Sequence, residues 1–80
     1  IQTLNNHTNS VDCLCKINKR MFCSGSWDKS VIIWSEINGF FSVYKIFNAH
    51  SNIVNSICMI SENEICSCSD DLSIIIYKFN

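Results

Sequence analysis

The chain has 80 residues, of which 48% are hydrophobic, and six Lys or Arg against seven Asp or Glu give a net charge of −1. This balance offers no general attraction for nucleic acid or an anionic membrane, so we expect neither as a partner. The hydrophobic content is too high for a disordered segment, and the apolar runs are too short to span a membrane. With no signal-peptide pattern in view, we expect a folded protein in the cytoplasm or elsewhere inside the cell.

The distribution of apolar and turn-forming residues predicts strands throughout and no helix. Short apolar runs are bounded by Asn, Ser, Asp and Gly, and no 3.6-residue period competes with them. The predicted strands are Ile1–Leu4, Val11–Ile17, Met21–Ser26, Ser30–Trp34, Phe40–Phe47, Ile53–Ile60, Glu64–Ser69 and Ser73–Tyr77. Turns are predicted at Asn18–Arg20 and Trp27–Lys29, and a loop at Ser35–Gly39.

Two segments of the chain recur at a spacing of 43 residues. His7–Val11 returns at His50–Val54, and Cys23–Trp34 returns at Cys66–Tyr77. A period of roughly 40–45 residues is typical of propellers built from four-stranded antiparallel blades. Since propellers have about 4–8 blades, the chain is predicted to supply about two of them and not to close a ring by itself. Its start at Ile1 suggests a piece of a longer or processed product.

The repeated segments resemble the WD40 repeat family. Asn6-His7 and Ala49-His50 stand where that family opens its repeat with Gly-His. Trp34 and Tyr77 stand at the closing Trp, whereas the Trp27-Asp28 pair lies in a turn and is not the closing pair.

The resemblance implies two units. The first is residues 1–36, in which residues 1–4 form the last strand of a preceding blade. The second is residues 37–80, which contain the last strand of the first full blade and the second repeat.

The resemblance also implies a buried polar tetrad in each repeat. A buried Asp carboxylate needs partners, which His, Ser and an indole N–H can provide. The tetrads are predicted to be His7, Ser24, Asp28 and Trp34 in the first repeat, and His50, Ser67, Asp71 and Tyr77 in the second. Because the hydroxyl of tyrosine lies at a different distance from the backbone than the indole N–H of tryptophan, we expect the second network to be incomplete or rearranged. Leu72 is atypical after the turn Asp, where a residue tolerant of positive φ fits better.

The same residue types could form a Ser-His-Asp hydrolase site. That reading is disfavoured because Ser24 and Ser67 lie inside predicted strands, no GxSxG elbow is present, and the pattern occurs twice. The chain is therefore predicted not to be an enzyme and to need no cofactor.

The resemblance implies binding surfaces at the loops of one propeller face. Trp27 is the strongest single candidate, since tryptophan is enriched among residues that dominate interfaces. The alternative is that Trp27 packs on the neighbouring turn. The candidate partner-binding residues are Trp27, Asp12, Ser10, Ile53, Asn55 and Asp70.

The six cysteines allow three interpretations. A three-residue turn would place Cys15 opposite Cys23 and Cys58 opposite Cys66, so cross-strand disulfides are conceivable but would be strained. Reduced thiols packed as small apolar groups fit an intracellular protein better. A zinc site is disfavoured because no CxxC spacing occurs.

Two functional hypotheses of different classes follow. The first is a non-catalytic scaffold for other proteins, formed by part of a WD40 propeller completed by further blades. The second is a self-associating homo-oligomer in which a strand of one copy completes the blade of the next, as heterologous contacts permit.

Overall fold

The computed structural model describes all residues from Ile1 to Asn80. Its seven strands are β1 (Val11–Asn18), β2 (Met21–Ser26), β3 (Val31–Ile37), β4 (Phe40–Phe47), β5 (Val54–Ser61), β6 (Glu64–Ser69) and β7 (Ile74–Lys78). Two antiparallel sheets result, with strand orders β1-β2-β3-β4 and β5-β6-β7. We call the four-stranded sheet blade 1 and the three-stranded sheet blade 2. The all-β prediction is confirmed.

The predicted loop at Ser35–Gly39 is wrong in extent. β3 continues to Ile37 and pairs with β4 up to Ile37 opposite Phe40. Only Asn38 (φ 53°) and Gly39 (φ 84°) form the turn. Two consecutive residues with positive φ make the tight hairpin turn that matches the twist of the flanking strands, and Asn-Gly is its preferred sequence.

The predicted strand at residues 1–4 is not formed. A strand needs a neighbour for its ladder, and no blade precedes blade 1 in these 80 residues. Instead, the Gln2 side chain lies against β4: its Nε2 donates to the Phe41 carbonyl (2.7 Å), and the Phe41 N–H donates to its Oε1 (3.0 Å).

The cysteine pairs lie opposite each other as predicted, Cys15 with Cys23 and Cys58 with Cys66. Each β-hairpin that carries them has an irregular register just before its turn, between Lys16 and Asn18 and between Met59 and Ser61. All six thiols are free.

The hydrophobic core lies between the two blades. β2 and β3 contribute Cys23, Val31 and Ile33, while blade 2 contributes Val54 and Ile65, and all five side chains are fully buried. Alternate residues of a strand point to opposite faces, so one face of each sheet forms this core. The rings of Phe47 and Tyr77 stack across it at 4.6 Å between centroids.

Both faces of β3 are covered, as its continuous apolar sequence predicts. Val31 and Ile33 face blade 2, while Ile32 and Trp34, on the other face, are also buried. Leu4 and His7 line a cavity together with Trp34 on that second face. No helix capable of crossing a bilayer occurs in the structure.

Candidate functional site

The turn between β2 and β3 is organised around Asp28. Its Oδ1 accepts hydrogen bonds from the Ser30 N–H (2.9 Å) and the Ser30 hydroxyl (2.6 Å), while its own N–H donates to Ser26 Oγ (3.0 Å). Lys29 takes φ 74° between them. In the turn of blade 2, Asp71 makes the same three bonds, two to Ser73 and one to Ser69. Leu72 stands at the position of Lys29.

Leu72 adopts φ 72° although its side chain does not favour that conformation. A left-handed conformation costs a residue with a Cβ about 1–2 kcal/mol. The bonds that Asp71 makes to Ser73 and Ser69 fix the turn and offset this cost.

His7 connects the turn to the strand. Its Nδ1 lies 2.8 Å from Asp28 Oδ2, its Nε2 lies 2.7 Å from Ser24 Oγ, and its side chain is 5% exposed. The N–H of Thr8 donates to the same carboxylate oxygen at 3.1 Å. In blade 2 the corresponding distances are 2.9, 2.7 and 3.0 Å, made by His50, Asp71, Ser67 and Ser51.

The closing aromatic residue completes the network in both blades. The indole N–H of Trp34 donates to Ser24 Oγ at 2.8 Å. Tyr77 places its hydroxyl 2.9 Å from Ser67 Oγ, and the other bonds join the equivalent residues, so the prediction that the second network would be incomplete or rearranged is wrong. The ladder register is the same in both blades, Trp34 opposite Phe22 and Tyr77 opposite Ile65, so the two rings start from equivalent positions. The phenol then extends far enough for its terminal oxygen to replace the indole nitrogen.

The proton arrangement follows from the donors available. An indole N–H can only donate, so Ser24 Oγ accepts from Trp34. The His7 ring lies between the other two groups, with Nδ1 beside the Asp28 carboxylate and Nε2 beside the Ser24 hydroxyl. With the corresponding bonds in blade 2, no buried side-chain nitrogen or oxygen is left without a partner.

The two carboxylates are held ionised. Burial alone would raise the pKa of Asp28, but the hydrogen bonds from Ser30, His7 and Thr8 outweigh it and hold that pKa well below its usual range. The hydrogen bond from Ser73 is the largest influence on Asp71; with the bond from His50 it lowers the pKa of this group as well. Burial raises the pKa of the Tyr77 hydroxyl, which stays a neutral hydrogen-bonding group.

The Asp-His-Ser order resembles a hydrolytic triad in its distances but not in its surroundings. Ser24 and Ser67 are each 2% exposed, and each hydroxyl is already engaged by a histidine and an aromatic side chain. A catalytic serine must present its oxygen to a substrate beside an oxyanion hole. The geometry is that of a saturated structural network.

Sequence reasoning missed Ser30 and Ser73. Each hydroxyl lies close to both the carboxylate and the histidine Nδ1, at 3.2 Å from His7 and 3.3 Å from His50. The signal was available, because these two serines also recur at the 43-residue spacing, two residues after the turn aspartate.

The six candidate partner-binding residues lie beside these turns in two groups of three, one in each blade. The Trp27 side chain is 47% exposed, and its indole N–H donates to the Asp12 carboxylate. At the same positions of blade 2, Asn55 Nδ2 donates to Asp70 Oδ1 at 2.6 Å. The carbonyls of Ser10 and Ile53 accept the N–H groups of Trp27 (2.9 Å) and Asp70 (3.3 Å). We call these six residues the loop rim.

The thiols form no metal centre. No three His, Cys, Asp or Glu side chains are arranged to hold a metal ion. Burial raises the pKa of Cys23 to about 12, and it also raises that of Cys13. Both groups are therefore protonated thiols near neutral pH.

Comparison with known proteins gives the fold and the family. The family described as "WD domain, G-beta repeat" matches residues 1–35 and again residues 41–78. No curated protein matches the sequence significantly. Among solved structures, the computationally designed Ika4 protein, a propeller, resembles the chain with a TM-score of 0.82 at 18% identity. The similarity covers 98% of this chain and 46% of the Ika4 chain, so the chain spans about half of that protein's length. At this identity the likeness concerns the fold alone. The two matched repeats, each with its saturated His–Ser–Asp network, make this chain a member of the WD40 repeat family.

Proposed function

We propose that the chain is a non-catalytic scaffold that binds other proteins through the loop rim. The observation that supports this most directly is the state of Trp27. Its indole is half exposed although its N–H is satisfied by Asp12, so the ring is held in a defined orientation with a free face. A rigid, partly exposed tryptophan supplies a large contact area at low entropic cost, which is why such residues dominate interfaces.

The separation of each blade into a buried polar network and an accessible rim supports the same proposal. The His–Ser–Asp network saturates its own donors and acceptors and fixes the turn that carries Trp27 or Asp70. The rim residues outside that network remain accessible, since Ser10, Asp12, Asn55 and Asp70 are exposed. The network therefore serves as a support, and the rim as the surface offered to partners.

We further propose an intracellular location, because six free thiols are more readily maintained in a reducing compartment.

The scaffold proposal is tested by affinity capture from cell extract with quantitative mass spectrometry. Wild type is compared with Trp27→Ala, and with Tyr44→Ala as a matched control that removes an aromatic of similar exposure (41%) on β4. Circular dichroism should show that both variants keep the wild-type spectrum. We expect a reproducible set of proteins with wild type and Tyr44→Ala that falls at least about tenfold with Trp27→Ala, the loss typical of an interface hot spot. Equal capture by all three chains would contradict the rim assignment, and no reproducible protein with any of them would contradict the scaffold role.

A further inference from the structure

Two carboxylates of the loop rim have no cationic partner in the chain. Asp12 is exposed and accepts the indole N–H of Trp27. Asp70 is also exposed and accepts a hydrogen bond from Asn55. The ion pairs of the structure all lie elsewhere, two with the histidines of the networks and one between a lysine and a glutamate of blade 2. Because aspartate is ionised at neutral pH, the rim carries negative charge that no contact within the chain neutralises.

The two carboxylates lie where blade 1 and blade 2 meet. Gly25, two residues before Trp27, is so close to blade 2 that a Cβ in its place would come within 2.7 Å of Val54 Cγ1. Val54 begins β5 and directly precedes Asn55, the partner of Asp70. The rim positions of the two blades are therefore neighbours, and one partner segment can contact both.

The Trp27 ring adds a surface that selects the kind of cation. Its N–H is held by Asp12, and 47% of the residue is exposed. The face of an indole attracts a cation through the ring quadrupole, and a guanidinium group can stack on such a face while its N–H groups reach a carboxylate. An ammonium group is more strongly hydrated and loses more on leaving water. An aromatic face beside a carboxylate without a cation thus fits arginine best.

We propose that the loop rim binds a segment of another protein that presents an arginine side chain, stacked on Trp27 and paired with Asp12. Asp70 offers a second negative charge to the same segment. This inference rests on the proposed function, since it names the chemistry of the partner for the same surface. Acidic segments are disfavoured, because the rim carboxylates repel them.

The test is an NMR titration of the 80-residue chain with three short peptides that differ only at the central residue. That residue is arginine, glutamate or citrulline, which has nearly the shape of arginine without the charge. The indole N–H resonances of Trp27 and Trp34 are followed, and Trp34, buried and bonded to Ser24, is the internal control. The arginine peptide should shift Trp27 alone and bind at least about fivefold more tightly than the citrulline peptide, as one exposed cation–aromatic contact and one exposed ion pair predict. The glutamate peptide should shift neither indole.

Three variants separate the charge of the site from its shape. Asp12→Asn keeps an oxygen for the Trp27 N–H but removes the charge, so it should bind the arginine peptide about as weakly as the citrulline peptide. Glu62→Gln removes an equal charge from the exposed turn between β5 and β6 and should behave as wild type. Lys29→Asn removes the cation next to the rim in the turn and suits the positive φ of that position, so it should bind the arginine peptide more tightly.

Equal affinity for the arginine and citrulline peptides, equal shifts of the two indoles, or a loss in Glu62→Gln as large as in Asp12→Asn would overturn the proposal. A shift of Trp27 when the chain alone is concentrated would assign the site to Arg20 of a second copy and would also overturn it. The scaffold proposal survives these outcomes as long as capture from cell extract still depends on Trp27. Capture that does not depend on Trp27 would contradict the proposed function itself, whatever the peptides show.

Discussion

Blade 1 and blade 2 hold the same polar network in different surroundings. Blade 1 has four strands and a closing tryptophan, whereas blade 2 has three strands and a closing tyrosine. The network distances nevertheless agree within 0.1 Å, for example 2.8 and 2.9 Å from histidine Nδ1 to the aspartate. The network therefore depends on the first three strands and the turn between β2 and β3, or between β6 and β7. The fourth strand and the identity of the closing ring have little influence on it.

The blades differ most in the packing of their faces. One face of blade 1 is sealed by blade 2, while the equivalent face of blade 2 is open, and Gly25 in one is Cys68 in the other. Internal polar bonding is a property that each repeat carries by itself. Stacking is specific to each pair of neighbours, as expected for repeat proteins whose stability comes from nearest-neighbour interfaces.

The largest effect is expected from removing the network centre in blade 1. Asp28→Ala leaves the buried donors of Ser30 and His7 without their acceptor, and each buried unsatisfied group costs about 1–3 kcal/mol. We expect a loss of several kcal/mol in the free energy of unfolding, enough to unfold blade 1, measured by urea denaturation. Asp28→Asn keeps an acceptor and should be affected less. A stability equal to wild type in Asp28→Ala would show that the network does not support the blade.

A smaller effect is expected at the blade contact. Gly25→Ala should destabilise the chain by about 1–3 kcal/mol, because the added methyl group overlaps Val54 and Ile57. Cys68→Ala, the equivalent position on the open face, should change the free energy of unfolding by less than about 0.5 kcal/mol, as at surface sites generally. Thermal melts of the two variants measure this difference, and equal destabilisation would contradict the asymmetry of the two faces.

A still smaller effect is expected at the closing ring of blade 2. Tyr77→Phe keeps the stacking on Phe47 but removes the hydroxyl bond to Ser67, which should cost about 1 kcal/mol. Tyr77→Trp restores a donor and should recover part of that loss. The measurement is the shift in the urea midpoint. Identical midpoints for Tyr77→Phe and wild type would show that the hydrogen bond between Tyr77 and Ser67 does not stabilise the chain.

The most gradual effect is expected in the pH dependence of the melting temperature. The pKa values of Asp28 and Asp71 are lowered in the folded chain, so the unfolded chain takes up protons at a higher pH, near the ordinary value of about 4. The stabilisation from these groups is fully present above that pH and is lost as the pH falls below it. The melting temperature should therefore decline below about pH 4, and the decline should weaken in Asp28→Asn. A melting temperature unchanged between pH 6 and pH 3 would contradict the network charges.

Much of the site could be predicted because the resemblance to the WD40 family assigns it to single residues at fixed offsets. His7, Ser24, Asp28 and Trp34 come together because a strand alternation of two and a tight turn fix their positions with little freedom. The role of Ser30 in the network was not predicted because serine is common in turns. Only its recurrence as Ser73 at the 43-residue spacing distinguishes it from other turn serines. The contact between Tyr77 and Ser67 was not predicted because the position of the Tyr77 hydroxyl depends on how neighbours such as Phe47 orient the ring. Sequence spacing does not specify that orientation.

By itself the sequence determined the order of the seven strands that form, the position of the two aspartate turns and four residues of each network, because these depend on contacts within one repeat. Only the tertiary structure decided that residues 1–4 form no strand, that Tyr77 completes its network, and that Gly25 is required where the blades meet. Each of these outcomes depends on what lies across a sheet face or edge, and the atoms concerned come from distant parts of the chain.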